Sequence, residues 1–198
     1  MGTKNTAAPG GKRVLIADDE VLIRTNLQEM LEGAGYQVVC SCADGFAAVE
    51  GCQKQQPDIV LLDIRMPMLD GMAAARFILE HELAPVVILI TAYSDLELVE
   101  KAKDFGIAGY LVKPVSENIL IPTLKVACAR SEELKELRAQ VARSRQELED
   151  RKLIEKAKGL LMQREQMTEQ QAFDYIRAAS RRSCISMRAV AEMIVGNS

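Results

Sequence analysis

The sequence predicts an α/β head, a doubly wound parallel five-stranded sheet, followed by a long coiled-coil-like helix and a small three-helix all-α domain. Three observations predict it. Short apolar runs alternate with stretches of three-to-four-residue apolar spacing as far as Ser116. Beyond Ser116 no glycine occurs before Gly159, and Pro122 is the lone proline. Charge also changes sign along the chain: residues 1–116 hold 10 Lys and Arg against 16 Asp and Glu, residues 117–150 hold 6 against 7, and residues 151–198 hold 9 against 5. An acidic head, a mixed connector and a basic tail follow, and the tail suits a polyanionic partner.

In order, residues 1–11 read as a flexible N-terminal tail and residues 12–130 as the head. RVLIAD, YQVVCS, IVLLD, VVILIT and GYLVKP supply five strands, with helices near residues 20–33, 45–55, 71–82 and 95–104. The first helix shows this spacing through Val21, Leu27, Met30 and Leu31. Strands this apolar that alternate with helices belong to a parallel sheet covered on both faces. MPMLDG reads as a turn, restricted by Pro67 and relieved by Gly71, with Met66, Met68 and Met72 as core fillers.

In the connector, residues 131–150, and just before it, Leu120, Leu124, Ala127, Ser131 and Leu134 form one apolar seam, and Leu134, Leu137, Val141, Ser144 and Leu148 a second. Each reads as half of a coiled coil through which two chains pair; the alternative is a solvated single helix. Residues 151–198 read as three short helices. Their apolar faces are Ile154, Ala157 and Leu161, then Ala172, Ile176 and Ala179, then Met187, Val190, Ala191 and Ile194. Thr168 with Gln171 makes a capping box for the second helix, and Ser186 caps the third.

Composition sets limits on function. A chain of 198 residues with 48% hydrophobic content buries a real core. No apolar stretch is long enough to span a bilayer and the N-terminus lacks a signal-peptide core, so the expected compartment is cytoplasmic, with no membrane partner. Five scattered cysteines offer neither a disulfide framework nor a CxxC metal pair, and the single histidine, His81, lacks companions for catalysis or zinc.

Chemistry collects at the strand ends, where open α/β sheets bind ligands. The first strand closes on Asp18 and Asp19, the third on Asp63, the fourth on Thr91 and the fifth on Lys113 and Pro114. Three carboxylates at one edge need a cation, and a lysine with a hard divalent ion supplies it. Magnesium suits because it takes oxygen ligands and bridges a carboxylate to a phosphoryl oxygen. Asp63 is then placed to attack a phosphoryl group, with Lys113 balancing the transferred charge and Thr91 offering a hydroxyl to the acyl phosphate.

IADDE, IVLLDIRMPMLDG, ILITAYSD and GYLVKP, in that order, resemble the motifs of the bacterial response-regulator receiver domain. The resemblance implies that a sensor histidine kinase phosphorylates Asp63. It implies a magnesium ion held by Asp19, Asp63 and the backbone carbonyl of Arg65, with Asp18 acting through water. It also implies that Lys113 pairs with the phosphate, that Thr91 shifts toward it, that Tyr110 is the switch aromatic, and that the Lys113–Pro114 bond is cis.

In the tail, Gly159 sits where alanine is preferred by about 1 kcal/mol. Close approach of another helix or of a nucleic-acid backbone accounts for it, with Lys156 and Lys158 alongside. Arg164, Arg177, Arg181, Arg182 and Arg188 add cationic donors, and Tyr175 is either a stacking platform or a half-buried aromatic. AKGLLM, TEQQAF, AASRRS (which contains Ser180) and RAVAEMI resemble the ANTAR domain, the RNA-binding output module of transcription antiterminators. The resemblance implies a homodimer that binds hairpin RNA in nascent leader transcripts, so that the terminator does not form. The full order is similar to ethanolamine-utilisation antitermination regulators in particular. The alternative from residues 172–194 is a helix-turn-helix, which makes the chain a DNA-binding regulator with the same receiver.

Overall fold

The computed structural model describes residues 11–92 and 105–196. Nearly all of the expected N-terminal tail and the helix expected near 95–104 lie outside the described residues.

Five parallel strands, β1 (Arg13–Ala17), β2 (Gln37–Cys42), β3 (Ile59–Asp63), β4 (Val86–Thr91) and β5 (Gly109–Val112), form one sheet in the order β2-β1-β3-β4-β5. The chain leaves β1 outward to β2 and returns to β3 on the other side, so the strand order reverses between β1 and β3. Open α/β sheets bind their ligands beyond the carboxyl ends of the strands at such a reversal. Strand geometry sends successive side chains to opposite faces. Leu15, Ala17, Val60, Leu62, Val87 and Leu89 therefore pack on one side, against α2 (Gly45–Gln55) and α3 (Gly71–Glu80). Val14, Ile16, Ile59, Leu61, Ile88 and Ile90 pack on the other, against α1 (Val21–Gly33) and the start of α4 (Glu117–Glu165). The doubly wound fold expected from the alternating pattern is present.

Local signals place the helices around this reversal. Asp44 and Asp70 cap α2 and α3, accepting from the amides of Ala47 at 2.8 Å and Ala73 at 2.7 Å. Gly71 starts α3 hard against β3: a Cβ there would overlap the carbonyl oxygen of Asp63, so close approach rather than turn relief explains this glycine. Met66 is buried and Met72 packs against the core, but Met68 is 83% exposed, which corrects its expected role as a core filler.

The chain divides into two compact units, residues 1–134 and 135–198, and α4 runs as one 49-residue helix through the boundary. Its N-terminal part is the last helix of the first unit. Leu120, Leu124, Ala127 and Cys128 are buried in that core, and Ser131 donates to the Pro85 carbonyl at 3.2 Å. The first of the two expected coiled-coil seams is thus an intrachain packing face.

In the second unit, the C-terminal end of α4 packs with α5 (Glu169–Ser183) and α6 (Met187–Gly196). The first of the three short helices read from the sequence is this end of α4 rather than a separate element. The core joins Ala157, Leu161, Ala172, Ile176, Val190 and Ala191, with Ile154, Ala179, Met187 and Ile194 around them. Thr168 and Gln171 form a reciprocal capping box at α5, and Ser186 accepts from the Ala189 amide at 3.1 Å at α6.

Candidate functional site

Asp18 follows the last residue of β1 and Asp63 ends β3, the two strands that flank the reversal. Lys113 follows β5, and its amide donates to the Thr91 carbonyl at the end of β4 at 2.8 Å. The sheet register therefore carries four of the expected residues to one edge. The Lys113 ammonium lies 2.9 Å from Asp18 Oδ2, 3.0 Å from Asp63 Oδ1 and 3.7 Å from Glu20 Oε1. One cation is shared by two carboxylates that are 0% and 5% exposed. The Lys113–Pro114 bond is cis.

The electrostatics follow from this crowding. Burial pushes the Asp63 carboxyl above the usual aspartate range; Lys113 pulls it back, and the charges of Asp18 and Asp19 push it up again. Burial pulls the Lys113 ammonium down, but its contacts with Asp18 and Asp63 outweigh that and leave it raised. Lys113 is thus held as a cation while Asp63 is kept more basic than an ordinary aspartate.

Asp18 Oδ1 accepts from the Glu20 amide at 2.9 Å, whereas its buried Oδ2 faces the Lys113 ammonium at 2.9 Å. Arg24 fixes the acidic loop by donating to the Asp18 and Asp19 carbonyls at 2.6 and 3.3 Å. Carboxylate oxygens of Asp18, Asp19 and Glu20 lie within 4.8 Å of one another. These are hard oxygen donors gathered at one point, a set that fits a divalent cation of the magnesium type. Glu20 was not singled out from the sequence, although it is the third acid of IADDE; Arg24 had no sequence signal.

Thr91 is fully buried and donates to the Ala92 carbonyl at 2.9 Å. Tyr110, on β5, is 44% exposed. Arg65 is exposed in the segment between β3 and α3.

The residues read as tail contacts divide into two groups. Lys158 is buried and pairs with Glu155 at 2.9 Å and Glu169 at 2.7 Å, and this cation holds the Glu169 carboxyl below its usual range. Arg188 pairs with Asp150 at 2.6 Å and Glu192 at 2.8 Å. Ser180 donates from its hydroxyl to the Ile185 carbonyl at 2.5 Å, fastening the turn after α5. Lys156, Arg164, Arg181 and Arg182 are exposed, and so is the ring of Tyr175. Gly159 is half-buried, and a Cβ built on it would meet nothing within 4 Å.

A doubly wound sheet with this acidic and lysine-bridged edge, joined to a small helical unit, defines a class of signalling protein. The chain matches the model of the response regulator receiver domain over residues 14–125 and that of the ANTAR domain over residues 142–195. It belongs to the response-regulator family and carries an ANTAR output domain, a non-enzymatic regulator class that fits RNA-binding antitermination at the family level. Among its relatives, the transcriptional regulatory protein PdtaR of Mycobacterium tuberculosis is 44% identical over 193 residues, which cover 98% of this chain and 94% of that protein. The likeness to ethanolamine-utilisation regulators in particular rests on domain order alone.

Two solved structures show the receiver part. The signal receiver domain of a modulated diguanylate cyclase from Desulfovibrio desulfuricans G20 is similar at 32% identity and a TM-score of 0.56, covering 61% of this chain and 95% of that one. A chain of the CheX-CheY-BeF3-Mg+2 complex from Borrelia burgdorferi is similar at 31% identity and a TM-score of 0.54, covering 57% and 85%. Among the described residues no helix is long and apolar enough to cross a membrane.

Proposed function

We propose that this protein is a phosphorylation-controlled antiterminator. A sensor histidine kinase presents a phosphohistidine, a carboxylate oxygen of Asp63 attacks the phosphorus, and the bond to the imidazole nitrogen breaks. Asp19, Asp63 and the Arg65 carbonyl, with Asp18 behind them, would hold magnesium, which would supply divalent charge to offset that of the transferred phosphoryl group. Lys113 exchanges its contact with Asp63 for one with the phosphoryl oxygens, Thr91 offers its hydroxyl to the same group, and Tyr110 alters its burial. The observation that carries this reading is the Lys113 ammonium shared between Asp18 and Asp63 at the strand-order reversal. The similarity to a chain of the CheX-CheY-BeF3-Mg+2 complex supports it.

The phosphorylated chain pairs with a second copy through the exposed part of α4, and the paired tails bind hairpin RNA in a nascent leader. Exposed Lys156, Arg164, Arg181 and Arg182 are the cations best placed for phosphates, while Lys158 and Arg188 act chiefly by building the surface. Loops of RNA expose base edges that an A-form stem hides, and such a compact basic face can read them.

The test is a titration of hairpin RNA and duplex DNA against the full chain, with and without beryllofluoride and magnesium. Tighter RNA binding and greater self-association with beryllofluoride are expected. Equal affinity for duplex DNA favours the DNA-binding alternative, and indifference to beryllofluoride counts against the switch.

A further inference from the structure

The acidic loop of the candidate site is short, and its own backbone does little to hold it. Asp18, Asp19 and Glu20 lie between the last residue of β1 and the first of α1. On the strand side, the Asp18 amide donates to the Cys42 carbonyl at 3.2 Å. On the helix side, the ladder opens with the Glu20 carbonyl, which accepts from the Arg24 amide at 3.1 Å, and no side chain caps α1. The Asp18 and Asp19 carbonyls come before that ladder, so helix formation does not fix them.

The side chain of Arg24 does. Its Nη1 lies 2.6 Å from the Asp18 carbonyl oxygen and 3.3 Å from that of Asp19, so one cationic nitrogen bridges two successive peptide units. Such charge-assisted bonds are about twice as strong as neutral ones. Arg24 is half-buried, which restricts where its guanidinium can go.

The loop carries three carboxylates with oxygens within 4.8 Å of one another. Like charges this close repel, and a loop free to turn relieves the repulsion by spreading them. A divalent ion that meets a spread set has to gather it, and that ordering subtracts from affinity. Bridged carbonyls meet part of this cost beforehand. We propose that Arg24 is a positioning residue for the divalent-cation site, its guanidinium bridging the Asp18 and Asp19 carbonyls so that the loop carboxylates stand gathered before the ion arrives. This rests on the proposed magnesium site, and it adds that affinity for the ion depends on a side chain outside the ligand set.

Charge and position make opposite predictions for this residue. Arg24 is itself a cation beside the site, so on charge alone its removal should tighten the binding of a divalent ion. Salt screens that repulsion at a partly exposed side chain, and loss of the bridge should prevail.

The experiment is a titration of the full chain with magnesium chloride at physiological salt, followed through backbone amide NMR shifts, for the wild type, Arg24→Met and Arg24→Lys. Arg24→Met removes bridge and charge together, whereas Arg24→Lys keeps the charge on a compact ammonium that lacks the guanidinium's reach. Arg24→Met should weaken magnesium binding about tenfold and Arg24→Lys about threefold, the scale of one or two hydrogen bonds to a charged group. Tighter binding by Arg24→Met with Arg24→Lys unchanged would mean that only charge matters, and it overturns the positioning role. Unchanged affinity in both variants overturns it too, while the magnesium site stands. If the wild-type chain binds no magnesium, the site and the role of Arg24 fall together. Melts in a chelator accompany the titrations: a lower melting temperature without a change in affinity measured well below it assigns Arg24 to stability alone and overturns the proposal.

Discussion

The ammonium of Lys158 lies 2.7 Å from a carboxylate oxygen of Glu169, joining α4 to the first turn of α5. A lysine that charge counting offers to a polyanion is instead turned inward, with Glu155 on its other side. Lys158→Met should lower the melting temperature of the tail, while RNA affinity measured well below that temperature changes little and the salt dependence of binding keeps its slope. Arg181→Ala with Arg182→Ala should do the reverse, leaving melting unchanged and reducing the slope of log affinity against log salt by about one per cation. Salt-dependent RNA titrations beside thermal melts check both. A reduced slope for Lys158→Met would show that it meets phosphate after all.

Asp63 sets a pH signature. Its carboxyl titrates above the usual range because of burial, so the folded chain takes up this proton at a higher pH than the unfolded chain does. Stability therefore falls as pH rises from the ordinary aspartate value through the raised one, and the cost is complete above it. Asp63→Asn removes the ionised form and should raise stability at pH 7 by on the order of 1 kcal/mol, a few degrees of melting temperature. The gain should shrink as pH drops through the raised value. In the wild-type protein, phosphoryl uptake should fade over the same window, since only the carboxylate attacks. Melting curves and phosphate labelling against pH test this; an advantage for Asn that grows in acid would contradict the assignment.

Most of the head is legible in the sequence because a buried parallel sheet leaves a plain record. Apolar runs such as IVLLD end on a residue of the candidate site, and each helix between them has its own period. What is hidden lies in contacts between elements. Leu120, Leu124 and Ala127 share the spacing of Leu137, Val141 and Ser144, yet the first set packs on the sheet and the second stays exposed. Periodicity reports that a helix has an apolar side, not what covers it. Glu169 is likewise invisible as the partner of Lys158, since the pairing depends on the turn between two helices. Glu20 and Asp18 are neighbours in IADDE, and only the fold brings Lys113 to both.

Lys113 should also set the response to magnesium that the proposed site predicts. Lys113→Met leaves Asp18 and Asp63 facing each other without their cation, and the loss should be about 3 kcal/mol in the absence of divalent ions. A bound divalent ion can replace much of that charge. Adding magnesium should therefore raise the melting temperature of the variant by more than that of the wild type, even though phosphoryl transfer stays impaired. Melts across a magnesium series decide it, and equal shifts in the two proteins would separate the metal from the lysine.

Two glycines should respond in opposite ways to the same methyl group. At Gly71 a Cβ would overlap the Asp63 carbonyl oxygen, which belongs to backbone and cannot rotate away. Gly71→Ala must push α3 off the end of β3, costing about 2 kcal/mol or more. Because the displaced carbonyl is that of the proposed phosphate acceptor, labelling should fall along with stability. At Gly159 a Cβ meets nothing within 4 Å inside the chain, and the residue lies within α4. Gly159→Ala should therefore stabilise the tail by about 1 kcal/mol through helix propensity alone. If glycine is kept there for the approach of RNA, the stabilised variant should bind hairpin RNA more weakly while circular dichroism shows an intact bundle. If RNA affinity is unchanged, nucleic-acid approach is not the reason for glycine at this position. Gly159→Ser, which adds an even larger side chain with a hydrogen-bonding group, distinguishes a steric clash from a lost contact by whether affinity falls further or recovers.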